Sequence, residues 1–187
     1  MEQSVIFGVD PGSRVTGLAV LKQTNSGKPE VIACDTLRLD HTSDHVSRLR
    51  FLYKEITQYI TRYNPTSCAV ETPVYGKDPQ AMLKLGRAQA AAILAITNME
   101  LPVSEYMPKA VKKSITGNGN AAKEQVAYML STILELPDKK LSSDATDALA
   151  VAWCHLMKGG ESEVEKSSGK SVSSWGDFAR NNPDRIK

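Results

Sequence analysis

The sequence predicts an α/β fold in which a mixed β-sheet carries helices on both faces. Three consecutive apolar runs rich in β-branched residues, joined by short polar turns, indicate a β-meander at the start of the chain. Beyond it, segments of helical periodicity alternate with two further short apolar runs, and the resulting order β-β-β-α-β-α-β-α-α-α implies the mixed sheet. With 187 residues, 41% hydrophobic and 24% charged, the chain has room for one such domain and a tail, and whole-chain disorder is excluded.

The predicted strands are short apolar runs bounded by turn residues. The first run ends in Asp10, directly before the turn Pro-Gly-Ser-Arg, and the fourth ends in Glu71. If these two strands are parallel neighbours, both acids project from the same edge of the sheet. The strands are predicted at residues 4–10, 15–22, 31–39, 66–71 and 101–106.

The predicted helices are segments in which apolar residues recur at helical spacing. Asp44 is the expected N-cap of the first helix; in the last helix, Ser143 is the expected N-cap and Gly159 the residue that stops it. The helices are predicted at residues 44–63, 79–99, 107–115, 121–134 and 142–157.

A change in composition divides the chain into a domain, residues 1–158, and a tail, residues 159–187, which is rich in Ser, Gly and charge and is expected to be flexible. The N-terminus has no signal-peptide pattern, and no apolar stretch is long enough to cross a membrane. The three cysteines form no CxxC pair, which argues against a disulfide scaffold or a zinc site and fits a reducing cytoplasm. The net charge of +2 is too small to indicate a nucleic-acid partner by itself.

Four acids stand out by their positions. Asp10 and Glu71 end apolar strands, and ligand sites in open α/β sheets gather at the carboxyl ends of strands. Asp144 and Asp147 are three residues apart near the start of the last helix, so they share one face of it. The alternatives are a turn role for each strand-end acid and a capping or dipole role for the helical pair.

Together, the four carboxylates predict a metal site. Converging carboxylates repel one another unless a cation lies between them, and hard oxygen ligands suit Mg²⁺, with Mn²⁺ as a substitute. Two ions held by shared carboxylates suit the in-line attack of water on a phosphodiester, which gives 5′-phosphate ends.

Four segments carry a family resemblance. FGVDPGSRVTGLAV, AVETPVYGKDPQAMLKLGRAQAAAI, LPVSEYMPKAVKKSITGNGNAAKEQV and SSDATDALAVAWCH together resemble the RuvC family of Holliday-junction resolvases over residues 4–157. The resemblance implies a ribonuclease H-like fold with a five-stranded mixed sheet. It also implies a homodimer that nicks two opposed strands of a four-way DNA junction in recombination and repair, with a RuvA–RuvB branch-migration complex as a candidate partner. On this chain the family's acidic tetrad falls on Asp10, Glu71, Asp144 and Asp147, and its DNA-contacting lysines fall on Lys112 and Lys123.

The loop after the fourth strand departs from the family pattern. The third position after the strand-end Glu is usually a Phe that inserts at the junction, and here it is Val74. Tyr75 follows at once and is the candidate to stack on an open base in its place. The alternative is that Tyr75 packs against the protein and the wedge is absent.

The segment from Met107 to Lys123 is basic and contains no acid. The turn Gly-Asn-Gly-Asn inside it exposes backbone N–H groups, and a predicted helix N-terminus follows, which favours phosphate binding. The alternative is an ordinary solvated helix face. The predicted DNA-contacting residues are Lys109, Lys112, Lys113 and Lys123, with Arg14, Tyr75 and Lys77 on the rim.

The helix predicted at residues 79–99 is apolar on more than one side and slim because of its alanines. One side fits the chain's own sheet, and the other fits either a second copy in a symmetric dimer or neighbouring helices of the same chain.

Two other functions compete with a junction endonuclease. One is a catalytically inactive junction-binding module, against which all four acids argue. The other is a half-domain of an actin-like phosphotransferase, which shares an Asp-x-Gly turn but needs two half-domains and a second phosphate loop.

Overall fold

The computed structural model describes residues 4–24, 27–40, 44–74, 76, 78–136 and 141–159. Tyr75, Lys77 and all of the predicted tail except Gly159 therefore lie outside the described residues. Over the described part of the chain, the predicted order of strands and helices is confirmed.

The five strands form one mixed sheet in the order β3-β2-β1-β4-β5. β1 pairs antiparallel with β2, which pairs antiparallel with β3, as expected for a meander. β4 lies parallel to β1 on its other side, and β5 lies parallel to β4. The carboxyl ends of β1, β3, β4 and β5 consequently meet at one edge of the sheet. The strands are β1 Val5–Asp10, β2 Val15–Gln23, β3 Pro29–Arg38, β4 Ser67–Glu71 and β5 Val103–Tyr106.

Of the two N-caps that the sequence predicts, one is confirmed and one is wrong. The Asp44 side chain accepts a hydrogen bond from the Ser47 N–H at 2.9 Å, as expected of an N-cap. In the last helix the N-cap is Ser142 and not Ser143, because the Ser142 hydroxyl oxygen accepts the Ala145 N–H at 3.2 Å. The helices are α1 His45–Tyr63, α2 Pro79–Thr97, α3 Pro108–Thr116, α4 Lys123–Ile133 and α5 Ser143–Met157.

The helices cover both faces of the sheet, and each face has its own hydrophobic core. On one face, α1 and α2 pack over side chains such as Phe7, Val20 and Val70. On the other face, α3, α4 and α5 pack over Ile6, Leu21 and their neighbours. The search for a bilayer-spanning helix, which covered only the described ranges, found none of sufficient length and apolarity.

Helix α5 lies unusually close to the sheet because two glycines beneath it have no side chain. A Cβ at Gly17 of β2 would lie 1.9 Å from the carbonyl oxygen of Asp144, and one at Gly8 of β1 would lie 2.3 Å from that of Ala148. Real Cβ atoms do not approach backbone atoms this closely, so glycine is required at both positions. The first turns of α5 thereby rest directly on β1 and β2, beside the end of β1.

Candidate active site

Asp10 and Glu71 lie side by side at the carboxyl edge of the sheet. The parallel register pairs Val9 with Val70, so the next residues, Asp10 and Glu71, end adjacent strands at the same height. Their carboxyl groups interact directly, and this side-chain hydrogen bond lowers the pKa of Asp10 and raises the pKa of Glu71. The sequence placed these two acids together only if β1 and β4 were parallel neighbours, and the structure shows that they are.

Helix α5 brings Asp144 and Asp147 to the same edge. Its first turn is fixed on β3 by side-chain contacts as well as by the glycines beneath it. The Cys34 thiol donates a hydrogen bond to the Ala145 carbonyl at 3.3 Å, and the hydroxyl groups of Thr36 and Ser142 are hydrogen-bonded. The start of α5, near the end of the domain sequence, is thus held against β3, which lies near its beginning.

The electrostatics of the cluster are those of crowded carboxylates. Burial, then the charge of Asp147, raise the pKa of Asp10 to about 6, although its hydrogen bond with Glu71 opposes this. Burial, then the charge of Asp10, raise the pKa of Glu71 to about 9. Asp144 and Lys123 also act on Asp10, in opposite directions. A site that raises the pKa of its acids in this way favours a cation.

Lys123 partly supplies that cation. Its ammonium group donates to the Asp147 carboxylate at 2.5 Å, and this hydrogen bond raises the pKa of Lys123. The Lys112 ammonium donates to the Ala121 carbonyl at 2.7 Å, which ties α3 to the segment before α4. Both lysines line a cavity of about 260 Å³ together with Glu71 and Asp147.

The donor chemistry of this cluster fits a hard divalent ion. All four groups are carboxylates, which Mg²⁺ and Mn²⁺ prefer, and no cysteine or histidine is among them. As they stand in the described residues, no three of these acids are close enough to enclose an ion. The fit to Mg²⁺ or Mn²⁺ therefore rests on the chemistry of the donor set.

Comparison with known proteins identifies the family. The family model described as crossover junction endodeoxyribonuclease RuvC matches residues 6–155. The chain belongs to the RuvC family. The curated RuvC of Salinibacter ruber is 46% identical over 182 residues, which cover 97% of this chain and 98% of the relative. The RuvC of Christiangramia forsetii is 40% identical over 185 residues, which cover 99% of this chain and 94% of the relative.

A solved RuvC structure supports the fold. That of Thermus thermophilus RuvC in complex with a Holliday junction substrate matches with a TM-score of 0.78 and 29% identity, covering 84% of this chain and 95% of that one. The ribonuclease H-like fold and the crossover junction endodeoxyribonuclease activity implied by the RuvC resemblance are confirmed.

Three of the other predicted DNA-contacting residues of this RuvC-family chain are exposed. Lys109 and Lys113 are exposed on α3, and Arg14 is exposed in the β1–β2 turn at the same edge of the sheet. Val74, where the RuvC pattern has Phe, is 60% exposed. Tyr75 and Lys77 lie outside the described residues, so the wedge stays a prediction.

His155, which the sequence analysis assigned to no site, is a structural residue of the domain. It is 4% exposed, and its ring nitrogens are hydrogen-bonded with the Tyr106 hydroxyl at 2.9 Å and the Ser67 hydroxyl at 3.0 Å. These contacts join the last turns of α5 to β4 and β5, and Tyr106 is itself paired with Glu71 in the sheet.

The raised pKa values predict an unusual pH dependence of stability in metal-free protein. A carboxyl group whose pKa is higher in the folded state binds more protons there than in the unfolded chain. The free energy of unfolding therefore falls as pH rises from the ordinary carboxyl range toward about 9, the folded pKa of Glu71. We expect the melting temperature in EDTA to decrease as pH rises through this range, by about 2–4 °C for each kcal/mol lost from the free energy of unfolding. Scanning calorimetry measures this decrease.

Glu71→Gln is the control for this pH dependence, because glutamine has nearly the same shape and does not titrate. In EDTA the variant should have a higher melting temperature than wild type, and the difference should grow with pH. Excess Mg²⁺ should reduce this difference in melting temperature. A difference that shrinks with rising pH in EDTA would contradict the assigned repulsion between Asp10 and Glu71.

Proposed function

We propose that Asp10, Glu71, Asp144 and Asp147 form the catalytic site of a Holliday-junction resolvase that makes paired symmetric nicks in recombination and repair. The observation that supports this most is the convergence of the strand-end acids and the α5 acids at one edge of the sheet, with the pKa of Asp10 and of Glu71 raised. Acids that served only as caps or turns would not need to be buried against one another.

These four carboxylates would hold two divalent ions, with Mg²⁺ as the ion used and Mn²⁺ as a substitute. Bound ions supply charge neutralisation for the phosphodiester and activation of the attacking water. Because the pKa values of Asp10 and Glu71 are raised, an ion bound by them would compete with proton binding. The strands and the docked helix hold the four groups before DNA arrives, so little reorganisation is needed during the reaction.

The lysines complete the site on the α3–α4 side. Lys123 pairs with Asp147, and an ion held by Asp147 would compete with this pairing and leave the ammonium group for a phosphate oxygen. Lys112 lines the same cavity, and Lys109 and Lys113 extend the basic surface along α3. In the proposed complex these four lysines, with Arg14, Lys77 and Tyr75, contact the junction.

The decisive test is cleavage of a synthetic four-way junction beside a linear duplex of the same sequence. We expect Mg²⁺-dependent paired nicks in the junction and little cutting of the duplex, because the substrate is defined by its branch point. The ends should be 5′-phosphate and 3′-hydroxyl, so that DNA ligase reseals them on a denaturing gel. Equal cutting of the duplex would contradict junction specificity, and nicks that ligase cannot seal would contradict the polarity of the attack.

Paired nicks require two related active sites, and we propose that an isologous homodimer provides them. The outer face of α2, formed by Leu83, Gly86, Ala90 and Leu94, is the proposed contact surface. Leu83 is 57% exposed and Leu94 is 55% exposed. Leu83, Gly86 and Ala90 also line an apolar groove of about 680 Å³. The opposite side of α2 packs on the chain's own core through Ala88, Ala92 and Ala95.

Ala90→Glu should convert the dimer to monomers, because it places a charge in the middle of this apolar face. The variant is expected to bind the junction more weakly and to lose coordinated nicking, measured by sedimentation and by the fraction of junctions cut in both strands. Gln58→Glu on the exposed side of α1 adds the same charge elsewhere and should change neither. A monomeric wild type that makes paired nicks would overturn the dimer.

The inactive-module alternative is disfavoured because all four acids are present at one edge of the sheet. We further propose action in the cytoplasm, consistent with three cysteines that form no disulfide in the described residues. Direct binding to a RuvA–RuvB branch-migration complex stays a prediction from the family resemblance.

A further inference from the structure

A second group of basic residues, three of them charged, lies at the same edge of the sheet as the acids but on the opposite face. His45 and Arg48 lie at the start of α1, and Lys84 and Arg87 lie on α2. Since β1 and β3 both pair antiparallel with β2, they run in the same direction. Helix α1 follows β3 and therefore starts at the edge where Asp10 ends β1; α2 follows β4 and starts there too. We call these four residues the α1–α2 basic cluster.

The members of the cluster act on one another electrostatically. Burial, then the charges of Arg87, Lys84 and Arg48, lower the pKa of His45, and Asp44 opposes this. Both ring nitrogens of His45 are shielded from solvent and have no hydrogen-bond partner in the described part of the chain. Among the described residues, no carboxylate forms an ion pair with Lys84 or Arg87. The cluster is thus a region of positive charge that protein carboxylates do not fully neutralise.

Both helices begin at this edge, and each is capped by a carboxylate, Asp44 on α1 and Asp78 on α2, which offsets the positive end of its dipole. The positive potential therefore comes from the basic side chains of the cluster. The nearby Asp44 carboxylate is already engaged by the Ser47 N–H at 2.9 Å and the Ser47 hydroxyl at 2.6 Å. An extended polyanion such as a DNA backbone matches a surface of this kind.

We propose that the α1–α2 basic cluster binds the phosphate backbone of a second arm of the junction, while the lysines of α3 and α4 bind the first; this inference rests on the proposed function. Carboxylates at the edge repel phosphates, so DNA lying across them needs cations on both sides. Lys112 and Lys123 provide them on the face covered by α5, and the cluster provides them on the other. Arms that diverge from a branch point can reach both faces, whereas a straight duplex on one flank cannot.

The test compares binding of a four-way junction and of a linear duplex in EDTA, so that no strand is cut. Lys84→Ala and Arg87→Ala should each weaken junction binding several-fold and lower the slope of log K against log salt by about 1. Duplex binding should change little. The double variant Lys54→Ala/Arg62→Ala removes two cations further along α1 and is the matched control, expected to behave as wild type.

The outcomes separate this inference from the proposed function. A wild type that binds junction and duplex equally would defeat the proposed function itself. A junction-selective wild type whose Lys84 and Arg87 variants keep its affinity and salt slope would overturn only the second-arm contact, and so would an equal loss on junction and duplex. Lys84 does not line the apolar groove of α2, so its variant decides the question even if Arg87→Ala disturbs the dimer.

Discussion

Asp10→Asn, Glu71→Gln, Asp144→Asn and Asp147→Asn are each expected to reduce junction cleavage by about a thousandfold, because each removes a charge that holds the ions at the reacting phosphate. Junction binding should persist or tighten, since one repulsion between carboxylate and phosphate is lost. Single-turnover cleavage with Mg²⁺ and binding in EDTA separate the two effects. The Asn and Gln side chains nearly keep the original shapes, so loss of folding does not account for the result.

Glu124→Gln is the matched control for these four variants. Glu124 is exposed in the first turn of α4, next to Lys123 in sequence. Its replacement should leave the cleavage rate within a few-fold of wild type. If any variant of the four acids cuts at the rate of the Glu124 variant, that acid has no catalytic role.

Gly17→Ala should be among the most disruptive single-methyl changes in the domain. The added Cβ would lie 1.9 Å from the Asp144 carbonyl oxygen, so α5 must move away from the sheet or the protein must unfold. Overpacking of this kind costs about 1–3 kcal/mol, and more where the backbone cannot yield. Because the helix carries Asp144 and Asp147, any folded protein should also cut poorly, as measured by chemical denaturation and single-turnover cleavage.

Gly86→Ala provides the contrast. Position 86 lies inside α2, and a Cβ there meets no atom within 4 Å in the single chain. Alanine should leave stability unchanged or raise it by about 1 kcal/mol through helix propensity. If Gly17→Ala proves as harmless as Gly86→Ala, the close approach of α5 to the sheet does not hold in solution.

The sequence predicted the parts of the site that follow from local rules. Asp10 and Glu71 were found because each ends an apolar strand, and Asp44 was found because N-cap chemistry is local. Ser142 and Ser143 both fit the cap of α5, and the choice depends on which hydroxyl oxygen accepts the Ala145 N–H, a matter of backbone geometry that spacing does not encode.

Features that depend on packing between distant segments were not predicted. His45 and Lys84 belong to different helices, and their proximity follows from how α1 lies against α2, about which the periodicity of either helix says nothing. Gly8 and Gly17 are visible in the sequence, but the carbonyl groups they face come from α5. Similarly, the sequence placed Lys123 with the DNA-contacting residues, and the structure adds its ion pair with Asp147.

The separation of Asp10 from Asp147 along the chain has a consequence for biosynthesis. β1 emerges early from the ribosome, and α5 is the last element of the described domain, so the four acids come together only after nearly the whole domain has been made. Contacts between such distant segments form late, because closing a long loop is entropically costly. An incomplete chain therefore carries Asp10 and Glu71 without the α5 acids, and a partly synthesised or truncated protein should be unable to nick DNA.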